Sequence, residues 1–598
     1  MFFLFSLGLL IFSFLLITFL LKIKRSFAQK SKINHLLSLY HSRLEKQISH
    51  AKMVLSSFSL SPEKKSLLLN SDVTTLLSLL NTSQTTSVEI LLTYCERTIT
   101  IGFDLKAVAE LNFSWAYQRA QECDTIRTNI LSSLSDPETK THNLNALGYL
   151  FGIPISLKDP IICKGLVATF GVSLNLNNVA QKDGLIVELL KDQGAIPFVT
   201  SNVPQVLLIN ETVSRAYGRA ENPWNRTRSS GGSSGGESAL ISSRCSPLGI
   251  GSDLGGSIRT PCLYTGLYGF NPTSTRNTFD GHFYCTPKDR IALRNFKPCC
   301  GPIGKSVDDL NLMMKSMVLE KNWQNDYETV PIKWREEIYK TPKKLRIGYV
   351  KSTPNYPVSP ANERAVQEAV NALKSKGHEI VELEFYQFEE LTNSFLELIS
   401  ADGKFRGLRQ KLKGESPIDE YKLMFFFANI PRSLAKIFAF ALNCFGERRT
   451  SKTIKAMSGK SAWEYFQSSE QHLVYKSLFA KWWKDNKLDA FVSPGFGLPA
   501  VKHGTSQELF IYCCYMFVWN VLNYPVGAVP ITKVRKEEEE FKDKIHKDRI
   551  NMMARECCKG SQGMPVGVLV ATKTYEDELC LFVMKEIENV IKFKEYPM

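Results

Sequence analysis

From about residue 145 onward the chain alternates two textures that together point to one fold class. Short apolar runs ("LGYLFGIPISLKD", "AIPFVTSNVP", "KLRIGYV", "LDAFVSP" and "MPVGVLVAT") have the length of buried strands. Longer stretches with helical spacing, such as "ANERAVQEAVNALKSKG", lie between them. Strands separated by helices predict an α/β protein, a sheet with helices on both faces. At 598 residues, 44% of them hydrophobic and 22% charged, the chain can bury one large core or two to four ordinary domains. That composition excludes a mostly disordered chain and a polytopic membrane protein. No internal repeat is visible.

The N-terminus has a different character. "MFFLFSLGLLIFSFLLITFLL" (Met1 to Leu21) is uncharged and is followed at once by "KIKR". As a helix it spans roughly 30 Å, about one hydrocarbon core. A cleaved leader competes for this reading, because Ser26-Phe27-Ala28 loosely resembles a small-x-small site. The basic residues, however, follow the apolar run, which is also long for a leader, so an uncleaved transmembrane anchor over 1–21 is expected. The positive-inside rule then turns the rest of the chain toward the cytosol, with an endomembrane such as the endoplasmic reticulum as host. The sequons at Asn81, Asn112, Asn210 and Asn225 would go unused. Residues 22–89 read as a helical juxtamembrane and linker region, ahead of a catalytic domain over 90–598.

Several chemistries are excluded. The 14 cysteines include adjacent pairs but no C-x-x-C, and the nine histidines form no H-E-x-x-H, so no metal site is expected. Mostly buried thiols in a reducing compartment are the simpler reading. "CCGPIGKSVDD" contains Gly304-Lys305-Ser306, but a phosphate-binding loop needs glycine where Cys299 stands. A surface turn leading into a helix is expected there instead. "KVRKEEEEFKDKIHKDR" mixes both signs and reads as a solvated helix or surface insertion. The net charge of +15 suits an anionic lipid surface, an acidic substrate or nucleic acid. Nucleic-acid binding further requires a concentrated basic face with aromatic platforms, and the sequence has none.

The stretch "GGSSGGESALISSRCSPLGIGSDLGGSIRTP" (Gly231 to Pro261) holds two Gly-Gly-Ser turns, at Ser233 and Ser257. A flexible linker fits poorly, because the turns bracket apolar segments that look buried. Upstream, "GIPISLKDP" places Lys158 at the end of a strand-like run. Alone, such a lysine is ordinarily a solvated charge. Beside two serines it acquires a second reading. A serine nucleophile needs a proton acceptor, and a lysine kept neutral by burial can serve. A second serine can relay the proton, since a hydroxyl both donates and accepts. Lys158, Ser233 and Ser257 can therefore form a triad without histidine.

"GGSSGGESALI", "GSDLGGSIRTPC" and "GIPISLKD" resemble the amidase signature family, whose catalytic set is Ser-cisSer-Lys. The resemblance extends through "SNVPQ", "ENPWN", "GLYGFNPT", "NYPVGAVPIT" and "DELCLFVMKEIE", and with the N-terminal run it points to the fatty-acid amide hydrolases within that family. It implies a twisted mixed sheet covered by helices, with Ser257 as nucleophile, Ser233 as bridging serine and Lys158 as base. It also implies an oxyanion hole from the backbone N–H groups of Leu254, Gly255, Gly256 and Ser257. Ser234, Asp253 and Arg259 fall on supporting positions, and Ser238 departs from a frequent glycine. The implied reaction is hydrolysis of long-chain fatty acid amides without a cofactor, by a membrane-bound homodimer.

One further segment bears on the substrate. "YKLMFFFANIPRSLAKIFAFALNCFGERR" (Tyr421 to Arg449) is densely apolar but broken by Pro431, Arg432 and Lys436. It is too interrupted to span a bilayer, and it suits either a membrane-binding cap of two short helices or a buried core pair. Three other readings of the whole chain stand beside the lipid amidase. They are glutamine amide chemistry for charging transfer RNA, an amidase for shorter amides, and a catalytically silent membrane scaffold on the same fold.

Overall fold

The computed structural model describes residues 2–597 apart from 134, 135, 137, 138, 140–142, 145, 284–294, 342 and 404. Within 2–26 it describes the side chains of Leu20 and Lys24 only. Thirteen strands are described: β1 (Val108–Leu111), β2 (Pro154–Lys158), β3 (Ile196–Ser201), β4 (Val213–Ser214), β5 (Gly218–Arg219), β6 (Leu248–Asp253), β7 (Tyr268–Asn271), β8 (Cys299–Gly304), β9 (Arg346–Tyr349), β10 (Glu379–Glu382), β11 (Ala490–Pro494), β12 (Val526–Lys533) and β13 (Pro565–Ala571). Eleven of them form one sheet in the order β1-β3-β2-β6-β8-β7-β12-β13-β11-β9-β10, and β4 and β5 make a separate ribbon. The five apolar runs of the sequence contain β2, β3, β9, β11 and β13. The sheet is mixed: β2 runs parallel to β3 and β6, whereas β8 runs antiparallel to β6 and β7.

β2, β3, β6, β8, β11 and β13 are buried at every position, which requires cover on both faces. Part of that cover is the helix Pro360–Ser375, packed on β11 to β13. Ser359 caps it, proline opens its first turn, and Gly377 (φ +87°) lies just past its end. The helix Ser87–Arg97 starts on a capping box formed by Thr86 and Glu89. The turn at Gly304-Lys305-Ser306 does lead into a helix, but it is buried, with Ser306 and Asp309 as its capping box. The mixed-charge stretch around 533–549 is an irregular insertion with one 3-10 turn, Lys536–Glu538, and no α-helix before Arg549. It is tied down by Glu538 to Arg364 at 2.5 Å and by Asp548 to Arg449.

The 22–89 region is no linker. In helix α1 (Phe2–Ser56), Leu36, Tyr40, Leu44 and Ala51 are buried in the main apolar core. Helices α2 (Pro62–Asn70) and α3 (Val73–Asn81) add Leu68, Val73, Leu76 and Leu80 to the same core. Buried Lys305 secures the junction, donating to the Leu69 carbonyl at 3.0 Å. Among the described residues no single helix is long and apolar enough to cross a membrane. The anchor expected over 1–21 falls almost wholly on side chains outside the described residues.

The 421–449 segment folds as two helices, Lys422–Asn429 and Arg432–Cys444, bent by 110° at Pro431. The core-pair reading fails here. Phe426, Ile437, Phe440 and Phe445 are 63%, 64%, 67% and 85% exposed, and Trp463 and Phe466 of the following helix Ala462–Asp485 extend the apolar surface. Apolar contact inward is confined to residues such as Tyr421, Phe425, Ala435 and Ala439. The described cysteines are all buried except Cys444.

Candidate active site

Because β2 and β6 lie parallel and adjacent, their carboxyl ends open at the same edge of the sheet. Lys158 is the last residue of β2, and Ser252 and Asp253 are the last two of β6. The register therefore brings together residues almost a hundred positions apart. Lys158 Nζ lies 2.8 Å from Ser233 Oγ and 3.0 Å from both the carbonyl and the hydroxyl oxygen of Ser252. It is completely buried. Burial pushes its amine down to about 7, against the opposing pull of Asp253, Cys300, Glu237 and Asp159. A large share of Lys158 is thus neutral at neutral pH.

The two glycine-serine turns meet here. Ser234 N–H donates to the Ser257 carbonyl at 3.1 Å, and the Ser234 hydroxyl donates to the Ser252 carbonyl at 3.4 Å. The Gly232–Ser233 peptide is cis. Gly232 must be glycine, because a Cβ there would stand 2.3 Å from the Ile209 carbonyl oxygen. Beyond Ser234 the chain enters the helix Gly235–Ser242, and beyond Ser257 it enters the helix Arg259–Thr265. Ser257 itself is partly exposed, in contrast to Lys158 and Ser233.

Asp253 and Arg259 hold the second turn. Asp253 accepts from the Gly256 amide at 2.7 Å, the Ile258 amide at 2.9 Å, and Arg259 at 2.8 and 3.0 Å. Arg259 continues to Asn520 at 2.6 Å and to the Met516 carbonyl at 3.0 Å. Burial alone raises a carboxyl pKa, but the Arg259 guanidinium and these donors outweigh it and hold Asp253 down at about 2. Since the Gly256 amide is committed to Asp253, the expected oxyanion donors narrow. Among the described residues the amides of Leu254, Gly255 and Ser257 make no hydrogen bond. Gly256 serves the turn instead, at φ +114°.

Ser233 and Ser257 open onto one cavity. Its apolar wall includes Phe170, Val206, Leu207, Ile399, Phe405 and Leu408. Asp159, next to Lys158, fixes part of this wall by accepting from the Thr169 and Phe170 amides at 3.0 and 2.8 Å. Val206 and Leu207 hold left-handed backbone (φ 55° and 61°), an uncommon conformation for such residues. Phe170, Val206, Phe405 and Leu408 belong to a second apolar cluster, which continues through Ile418 to Tyr421 and Phe425 at the base of the bent helix pair.

Every singled-out residue thus lies at one sheet edge. Sequence reasoning missed Ser252, His282 and Asn520. Ser252 stood inside a quoted motif, whereas His282 and Asn520 carried no local signal, because their positions depend on tertiary contacts. Among the described residues no group of three or more histidine, cysteine, aspartate or glutamate side chains could hold a metal ion.

With this geometry in view, the chain can be set beside known proteins. The profile of the family described as Amidase matches residues 89–581. Fatty-acid amide hydrolase 1 of Sus scrofa is 30% identical over 492 residues, covering 80% of this chain and 82% of its own. Acetamidase of Emericella nidulans is 27% identical over 540 residues, covering 86% and 88%. A solved fatty acid amide hydrolase superposes with a TM-score of 0.74 at 22% identity, covering 94% of this chain and 95% of its own. A 6-aminohexanoate cyclic dimer hydrolase gives 0.67 at 18% identity, covering 89% and 99%. The chain belongs to the amidase family and is an amide hydrolase of the amidase signature fold.

Proposed function

We propose that this amidase hydrolyses long-chain fatty acid amides at a membrane surface, with Ser257 as nucleophile, Ser233 as bridging serine and Lys158 as base. The observation that carries this reading is a run of packed apolar residues from the cavity to the bent helix pair. Phe170, Val206, Phe405 and Leu408 of the cavity wall belong to the cluster that ends under the bent helix pair, whose outer side exposes Phe426, Ile437 and Phe440. An acyl chain lodged along Phe170, Val206 and Phe405 lies in apolar surroundings throughout. A short amide leaves most of that wall unused.

In the reaction, neutral Lys158 takes the proton of Ser233, which takes that of Ser257. Ser257 Oγ then attacks the acyl carbon, and the amides of Leu254, Gly255 and Ser257 receive the oxyanion. The proton returns through Ser233 to the departing nitrogen, because an amide anion is a poor leaving group. Water then cleaves the acyl-enzyme. Asp253 and Arg259 hold the donor turn rigid. The exposed apolar helices rest in the membrane interface, where the net positive charge favours an anionic leaflet.

The test is labelling of the detergent-extracted protein by a fluorophosphonate, followed by turnover of acyl amides of graded chain length. Wild type should label, Ser257→Ala should not, and kcat/KM should rise with chain length. Labelling of both proteins would refute Ser257 as nucleophile. A preference for acetamide-sized substrates would favour the short-amide reading. No labelling of folded wild type would favour the silent scaffold.

A further inference from the structure

One buried side chain beside the relay has no part in the reaction as described so far. His282 Nε2 lies 3.1 Å from Ser252 Oγ, the same hydroxyl that stands 3.0 Å from Lys158 Nζ. The backbone leads it there: the Ile162 amide donates to the Gly281 carbonyl and the Phe283 amide to the Pro160 carbonyl, each at 2.7 Å. The segment carrying His282 is thereby laid along the residues that follow Lys158. Phe279 stacks on the imidazole, with ring centroids 4.4 Å apart and planes 18° apart. Burial, with Lys158 nearby, holds this imidazole well below its usual range, so it is neutral. A neutral imidazole offers one nitrogen as an acceptor.

The hydrogens around Lys158 can be counted. A neutral amine has two N–H donors and one lone pair. The Ser252 carbonyl can only accept, so it takes one N–H. One N–H and the lone pair remain for two hydroxyls, those of Ser233 and Ser252. If the N–H goes to Ser252, the lone pair faces Ser233 and can take its proton. If the N–H goes to Ser233, the lone pair is occupied by the Ser252 proton and the base is idle. Which arrangement holds depends on where the Ser252 proton goes.

We propose that His282 is a positioning residue of the relay: its Nε2 accepts the Ser252 hydroxyl proton, which leaves Ser252 to accept from Lys158 and turns the lysine lone pair toward Ser233. The tautomer this requires carries its hydrogen on Nδ1. His282 acts through Ser252 and Lys158, and it exchanges no proton with substrate. The inference rests on the proposed Ser257–Ser233–Lys158 reaction and adds the group that sets its direction.

The experiment measures the rate of fluorophosphonate labelling at Ser257, together with kcat and KM, on the full-length protein in detergent. It compares wild type, His282→Leu, His282→Gln, Ser252→Ala and the Ser252→Ala/His282→Leu double variant, each first shown to be folded by thermal melting. His282→Leu removes the acceptor and should slow labelling and kcat roughly tenfold, the upper worth of one hydrogen bond, with KM little changed. His282→Gln, whose side-chain oxygen reaches the same place, should recover most of that loss. In the Ser252→Ala background His282→Leu should cost nothing more, because the proton it receives is gone. Labelling of His282→Leu at the wild-type rate would overturn the proposal, and so would an equal loss in both backgrounds. A raised KM with unchanged labelling would also overturn it, making His282 a substrate contact. Failure of folded wild type to label is a separate result, which refutes the underlying reaction and the proposal with it.

Discussion

As the proposed base, Lys158 is useful only when neutral, and its burial favours that form. With burial bringing the amine to about 7, kcat/KM should climb as pH rises through that value and level off above it. Replacing Lys158 by alanine should lower the rate by roughly 10²- to 10⁴-fold at neutral pH, the usual worth of a general base, and erase this acid limb. A pH–rate profile of both proteins checks it, and an unchanged limb would remove the lysine from the chemistry. Asp253 presents the opposite case, a buried charge that is kept. Both it and Arg259 are wholly inaccessible, so Asp253→Asn leaves an unpaired guanidinium and should cost about 3–5 kcal/mol in urea unfolding at pH 7. The folded carboxyl titrates near 2 and the ordinary one at 3.8, so its stabilisation is complete above 3.8 and fades as pH falls through about 2. The gap between the two proteins should narrow over that window, and a gap independent of pH would point to lost packing instead.

At the scale of elements, two features bear on substrate entry. The parallel register of β2 and β6 places Lys158 beside Ser252 in the proposed relay, and the bent pair Lys422–Asn429 and Arg432–Cys444 carries an uncovered apolar face. Seating that face in an interface would bury several large side chains, each worth about 1.5–3 kcal/mol. The double change Ile437→Glu/Phe440→Glu should therefore weaken binding to phosphatidylserine-containing vesicles by at least about a hundredfold. Labelling by a water-soluble fluorophosphonate should be unaffected, since Ser257 is reached through the cavity and not through the lipid. Vesicle sedimentation decides it; unaltered binding would leave the exposed face without a membrane role.

For the molecule as a whole, the proposed membrane attachment can be divided between the first residues and the bent helices. The second half of α1 is joined to the catalytic body: Tyr40 donates to the Ala109 carbonyl, and Arg43 meets Glu110 at 2.5 Å. Removing residues 1–25 leaves these contacts intact, so the truncated protein should fold and label normally. It should still sediment with vesicles, and adding Ile437→Glu/Phe440→Glu to the truncation should release it. A truncated protein that stays wholly in the supernatant would assign all attachment to the N-terminal run.

By itself, the sequence determined whatever is local along the chain. Five apolar runs of strand length among helices were enough for the α/β class. The spacing from Asp253 through Ser257 to Arg259 carried the donor turn, because a strand, a turn and a helix start are set by neighbouring residues. Lys158, Ser233 and Ser257 were legible as a set only through the chemistry they share. The tertiary structure decided the rest. The β2–β6 register put Ser252 beside Lys158, and a distant loop brought His282 to Ser252, with no trace in either local stretch. Commitment of the Gly256 amide to Asp253 followed from the path of the turn. Packing of α2 and α3 into the main core abolished the expected linker, and the outward face of the bent helices overturned the buried-pair reading. The physical reason is the same in each case. An apolar period of 3.6 residues serves a core, a membrane face or a neighbouring helix equally well, and only the arrangement of all the elements determines which surface remains uncovered.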